Sequence, residues 1–167
     1  MSSENDPFVF RAFEPDDAAA LARIYRDAVL KTGATAYDAT QVAMWSSFAS
    51  EPEFTTGLAC GTCIVALSDG VIAGFGQLEP ADCVHLLYVS PDFARRGIGS
   101  ALLARLEAVA AGQGVAQLQT NASHLSRPVF ARAGWQLDQV EITERNGVHF
   151  ERFCMSKRLE PVPGSRT

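Results

Sequence analysis

The chain has 167 residues, a formal net charge of −5 and 47% hydrophobic residues, enough apolar mass for one packed domain, read over residues 1–160. That balance excludes a largely disordered chain and argues against a nucleic-acid partner, which asks for a basic face. No stretch approaches the ~20 apolar residues of a membrane span.

The start, MSSENDP, is polar and acidic with no apolar run before Phe8, so no signal peptide is read and a cytoplasmic protein is expected. Cys60, Cys63, Cys83 and Cys154 are then expected as free thiols. Cys60 and Cys63 form a C-x-x-C, but no second pair follows, and His85, His124 and His149 are scattered. No metal is expected.

Val9 to Ala12 alternates as a first strand. Asp16 or Asp17 is placed to cap a helix running to about Lys31, because a carboxylate there accepts from free backbone N–H groups. Leu21, Ile24, Tyr25 and Val29 form its buried stripe. A second helix is predicted over Thr40 to Phe48, and Glu51 to Gly57 reads as a polar loop. Three strands follow: Cys63 to Leu67, Val71 to Leu78, and Val84 to Val89. Gly74 and Gly76 in the middle strand allow close backbone approach, and the third strand is almost wholly apolar, as a central strand is. A loop through Arg95 and Arg96 leads into a helix from Gly97 to about Ala111. Ala116 to Thr120 is a strand, Arg127 to Ala133 a short helix closed by Gly134, and Trp135 to Thr143 with Val148 to Ser156 a hairpin across Arg145-Asn146-Gly147. Residues 161–167 read as a disordered tail. The order is β-α-α-β-β-β-α-β-α-β-β.

The segment that carries chemistry is LLYVSPDFARRGIGSALLARL, Leu86 to Leu106. A buried strand feeds a loop that delivers Arg95, Arg96, Gly97, Ile98, Gly99 and Ser100 to a helix start. The first N–H groups of a helix have no internal partner and carry the positive end of its dipole. Glycines let phosphate oxygens reach them without meeting a Cβ, and the two arginines add charge-assisted donors. A pyrophosphate suits such a turn. The dinucleotide fingerprint fails because Leu102 stands where the third glycine belongs, and the nucleoside triphosphate loop fails for want of a lysine.

These residues resemble the coenzyme A motif of the GNAT superfamily of acyl-CoA-dependent N-acetyltransferases. The usual form of that motif is Gln or Arg, two variable residues, Gly, one variable residue, then Gly or Ala. Gly97 and Gly99 match it, and Ala94 departs from it at the first position. The following strand LQTNAS, the short helix RPVFARAGW and the last strand FERFCMSKRL are also similar, so the likeness runs from about Phe8 to Leu159. It implies an α+β (α/β) fold with a mixed, mostly antiparallel central sheet flanked by helices.

The resemblance further implies acetyl-CoA as co-substrate and direct attack by an amine of a small molecule or peptide in a ternary complex. The pantetheine arm would pair with the backbone of Leu87, Tyr88 and Val89 where two strands part, with Asn121 and Phe130 as further coenzyme contacts. A backbone N–H there would stabilise the oxyanion. His85 and Glu79 are candidate bases, His85 because its ordinary pKa suits proton transfer; Glu79 and Asp82 also fit as solvated loop charges. Many members of the family place a general-acid Tyr where this chain has Phe130, which has no proton to give. Water, Tyr88, Cys83 or Tyr37 are the alternatives for protonating the thiolate. Acceptor recognition is expected from residues 32–49 and 141–149, with Tyr37 and Trp45 as pocket residues and Met44 and Phe48 equally at home in the core. The chain is expected as a monomer or homodimer. A non-catalytic acyl-CoA-binding module is the alternative reading.

Overall fold

The computed structural model describes residues 7–161; residues 162–167 of the expected tail lie outside them. In chain order the elements are β1 (Val9–Ala12), α1 (Ala18–Thr32), α2 (Ala39–Ser47), α3 (Pro52–Gly57), β2 (Thr62–Ser68), β3 (Val71–Leu78), β4 (Cys83–Val89), α4 (Ile98–Gly112), β5 (Gln117–Ala122), α5 (Arg127–Arg132), β6 (Gln136–Arg145) and β7 (Val148–Arg158). The strands form one seven-stranded sheet in the order β1-β2-β3-β4-β5-β7-β6. Every neighbouring pair is antiparallel except β4 with β5. This is the mixed, mostly antiparallel α+β sheet expected.

Two expectations fail. Asp17 precedes α1, but its carboxylate caps no amide of that helix; it accepts from Arg11 and from Glu14 N instead. The segment read as a polar loop contains α3. Pro52 stands in its first turn, where a fixed φ suits the helix and the missing N–H costs nothing. Phe54 and Leu58, one turn apart, are both fully buried, and Leu58 N donates to Phe54 O at 3.2 Å. Phe54 meets Tyr25 edge-on at 5.2 Å. Two apolar anchors among Glu51, Glu53, Thr55 and Thr56 are enough to dock one turn, and the polar majority hid them.

The sheet separates two cores. On one face α4 packs Ile98, Leu102, Leu103 and Leu106 against Val84, Leu118, Phe130 and Trp135. It lies close because Gly74 and Gly76 offer no side chain. A Cβ on Gly74 would stand 2.9 Å from Tyr88 O, and one on Gly76 would stand 2.8 Å from Leu106 Cδ1. On the other face α1 and α2 close over Val65, Phe75 and Leu86. Two polar ties brace the frame. Arg11 grips the buried Asp17 carboxylate through two bonds of 2.7 and 2.9 Å. Glu107 on α4 accepts from Trp135 Nε1 at 2.8 Å and from Lys157 Nζ at 3.0 Å, fastening α4 to β7.

Candidate active site

β4 and β5 share only two register positions, Cys83 with Gln119 and Val84 with Thr120. Thr120 Oγ1 donates to Val84 O at 2.8 Å and pins this end. Beyond it the strands part. Leu86–Val89 stay paired with β3, and Asn121 and Ala122 stay paired with β7. His85 marks the divergence. Gln77 faces Leu86 and Leu78 faces Val84, so His85 is an extra residue in β4. Such a bulge bends a strand and re-aims its side chain. The gap opens into a cavity of about 400 Å³.

At one end of this cavity stands the start of α4. Gly97 is its N-cap at φ +78°, in the left-handed region, and no side chain caps the helix. The first intrahelical bond is Ala101 N to Gly97 O at 3.0 Å. The amides of Ile98, Gly99 and Ser100 precede it and carry the positive end of the dipole. Gly99 lines the cavity. A Cβ there would meet Val89 Cγ2 at 3.6 Å and Val129 Cγ1 at 3.8 Å, ordinary contact. The protein's own packing therefore does not require glycine at 99; the open space beside it is what a side chain would fill. Arg95, also at positive φ (65°), and Arg96 are exposed in the loop before the helix, and Arg96 lies 5.3 Å above the Phe93 ring.

The opposite wall is aromatic. Trp45 Nε1 donates to Tyr88 Oη at 3.2 Å, and Tyr37 Oη accepts from His124 N at 2.9 Å. Tyr37 and Trp45 meet edge-on at 5.2 Å. Tyr88 leans on Tyr25 at 4.5 Å and stacks on Phe75 at 5.8 Å. Burial pushes the Tyr88 phenol up to about 12, against the opposing bond from Trp45. Burial also raises Tyr37 and the Cys83 thiol. His85 moves the other way: desolvation lowers its pKa, and the charge of Glu79 partly opposes that.

The β6–β7 hairpin supplies the last wall, with Thr143, Arg145, Phe150, Glu151 and Arg152. Arg152 is matched by Glu141, which accepts from Nε and Nη2 at 2.8 Å each. Glu151 pairs with His124 Nε2 at 3.2 Å.

Most of the residues singled out from sequence converge. Tyr37, Trp45, His85, Leu87, Tyr88, Val89, Gly99, Asn121 and Phe130 all line this cavity, and so does Met44. Gly97, Ser100, Arg95 and Arg96 stand exposed at the helix start, whereas the Ile98 side chain is core and only its amide faces outward chemistry. Glu79 follows the end of β3 and stands outside the lining. Phe48 packs with Tyr25 and Phe54. Phe130 is buried against Trp135 at 4.8 Å, and Asn121 accepts from Cys154 Sγ at 3.4 Å. Sequence reasoning missed Glu151 and Arg152, and it reached Arg145 only as one member of the stretch 141–149 and of the turn. No local motif marks these residues; they reach the cavity through the pairing of β7 with β5.

Among the described residues no cluster of His, Cys, Asp and Glu could hold a metal ion, and no helix is long and apolar enough to cross a membrane. The four cysteines are unpaired.

Comparison with known proteins agrees with this geometry. Residues 33–159 match the Acetyltransferase (GNAT) domain family. An uncharacterized N-acetyltransferase of Escherichia coli (strain K12), YafP, is 30% identical over 146 residues, covering 87% of this chain and 92% of its own. The crystal structure of a GCN5-related N-acetyltransferase from Rhodopseudomonas palustris superposes with a TM-score of 0.88 at 30% identity, covering 90% of this chain and 95% of that one. The fold also recurs in YncA from Salmonella typhimurium, a putative acetyltransferase solved with acetyl-CoA. It has a TM-score of 0.65 at 19% identity, over 97% of this chain and 99% of that one. A splayed parallel strand pair, an uncapped glycine-led helix and matches of this extent lead to one conclusion: the chain belongs to the GNAT acetyltransferase family.

Proposed function

We propose that this protein transfers an acetyl group from acetyl-CoA to a primary amine of a small molecule or peptide, in a ternary complex, as a single catalytic domain of the cytoplasm. The observation that carries the reading is the parting of β4 from β5 immediately beside the uncapped start of α4. An extended amide-bearing arm fits a gap between two strands whose facing edges have no partner strand. A pyrophosphate fits the amides of Ile98, Gly99 and Ser100, with Gly97 setting the turn and Arg95 and Arg96 adding charge. Backbone groups of Leu87, Tyr88 and Val89 would hold the arm, with Asn121 and Phe130 bordering it.

Acetyl-CoA supplies an acetyl group activated as a thioester. The acceptor nitrogen forms the new N–C bond as the C–S bond breaks, the electron pair leaves on sulfur, and one nitrogen proton is given up while sulfur gains one. In this reading His85 takes that proton. It projects from the bulge into the cavity, and its lowered pKa keeps it neutral, and so able to accept, at neutral pH. Glu79, outside the lining, acts on His85 through its charge. Tyr37 and Trp45 form the acceptor wall. Holding both reactants in one cavity supplies much of the acceleration.

Phe130 favours a second reading, a non-catalytic acyl-CoA-binding module, because the side chain in that place has no proton to give. Purified protein is titrated with acetyl-CoA in a calorimeter and then assayed for free thiol over a panel of amines. Binding with thiol release supports the enzyme; binding without release on any amine supports the module; no binding removes both.

A further inference from the structure

One charged side chain at the acceptor end of the cavity has no ion-pair partner among the described residues. Arg145, Glu151 and Arg152 are its lining residues of the acidic and strongly basic types. Arg152 is held by Glu141 at 2.8 Å, and Glu151 is engaged by His124 at 3.2 Å. Among the described residues the Arg145 side chain makes no ion pair and donates no hydrogen bond. Its guanidinium lies 5.1 Å above the Phe48 ring, a contact that uses the π face and leaves the N–H donors available. Its charge is felt inside the wall: burial drives the Tyr25 phenol up, and Arg145 opposes that shift. The apolar faces of Val29, Tyr37, Met44, Trp45 and Phe150 line the same cavity.

We propose that the acceptor is a primary amine carrying a carboxylate beside an apolar body, an amino-acid-like molecule whose carboxylate is bound by Arg145. This rests on the acetyltransferase reading above. A guanidinium offers a planar fork that matches a carboxylate bidentately. An aromatic and thioether wall favours an apolar side chain over a hydrophilic one. A polyamine is disfavoured by the same census, because the one carboxylate lining the cavity among the described residues already meets His124 and the unpaired guanidinium of Arg145 stands in the same lining. The reaction remains the one described above: the amino nitrogen takes the acetyl group from the thioester, and the proton it loses is matched by the one sulfur gains. The carboxylate anchors the molecule and is unchanged.

The test uses the full chain with saturating acetyl-CoA and follows thiol release with L-phenylalanine, L-methionine, phenethylamine and spermidine, with calorimetry of each probe against the coenzyme A-bound protein. L-phenylalanine is expected to exceed phenethylamine in kcat/KM by about 10- to 100-fold, the range of one charge-assisted hydrogen-bonded contact. Arg145→Gln narrows that ratio to within about threefold, acting mainly through KM, and Arg145→Lys restores part of it. Equal or faster turnover of phenethylamine or spermidine overturns the proposal, as does failure of both amino acids to bind. Coenzyme A binding is read separately, by thermal shift without acceptor. If that signal is present while the amino acids fail, only the acceptor class falls; if it is missing, the acetyltransferase reading falls as well.

Discussion

The two ends of the cavity are built on different principles. The end at α4 is made of backbone: the amides of Ile98–Ser100 and the β4 edge at Leu87–Val89, with glycines at 97 and 99 holding the space open. The acceptor end is made of side chains from elements far apart in sequence. Tyr37 and Trp45 come from the α1–α2 region, Tyr88 from β4, and Arg145 and Glu151 from the hairpin. A backbone site depends on conformation and tolerates changes of most side chains; a side-chain site is rewritten by single substitutions. One end therefore suits an invariant co-substrate, and the other an acceptor that can differ between relatives sharing the fold.

Substitutions sharpen that contrast. The largest effect is expected at Gly99. Gly99→Leu fills the space between Val89 and Val129 and should weaken coenzyme A binding by about 100-fold or more, some 3 kcal/mol, while the melting temperature changes little. Unchanged affinity in calorimetry would show that the coenzyme does not pass this point. Replacing Arg95 and Arg96 together with alanine should cost about 10- to 100-fold in coenzyme A affinity and flatten its salt dependence, since exposed charges act through screened attraction. At the other end, Trp45→Leu should raise the acceptor KM about 10-fold and leave coenzyme A affinity within about twofold. It removes both the edge contact with Tyr37 and the bond to Tyr88 Oη, a loss of about 1–2 kcal/mol.

The smallest expected change in rate comes with a change of pH profile. His85 has a lowered pKa, so the neutral form that accepts a proton persists below the ordinary value near 6.5. The wild-type kcat/KM should fall only as pH drops through that lowered value. His85→Gln should reduce the plateau and abolish this acidic limb; an unchanged limb would remove His85 from the proton transfer.

The backbone end was legible in the sequence because its information is local. Gly97 and Gly99 after an apolar strand state both the turn and the helix start, and a two-residue spacing needs no tertiary knowledge. The succession of strands along the chain, the hairpin at Asn146-Gly147 and the close approach at Gly74 and Gly76 were likewise read from short-range pattern. Helix α3 was not, because its docking rests on two residues, Phe54 and Leu58, inside a polar run. The charged acceptor wall was not legible either. Arg145 falls in the stretch 141–149 expected to meet the acceptor, but beside a turn nothing in the sequence singles it out from its neighbours. Only the register of β7 on β5, Asn121 opposite Cys154 and Ala122 opposite Phe153, brings the hairpin over the cavity. Tyr88 was expected mainly for its backbone, yet its hydroxyl also joins the aromatic wall through Trp45.

The central claim is that coenzyme A lies between β4 and β5 with its phosphates on the start of α4. At 18.0 kDa the protein suits amide NMR. Titration with coenzyme A should shift the amides of Leu87–Val89 and Gly97–Ser100 most, with Asn121 and Ala122 next and α3 unmoved. Saturable binding that shifts amides elsewhere and leaves Gly97–Ser100 in place would contradict the account.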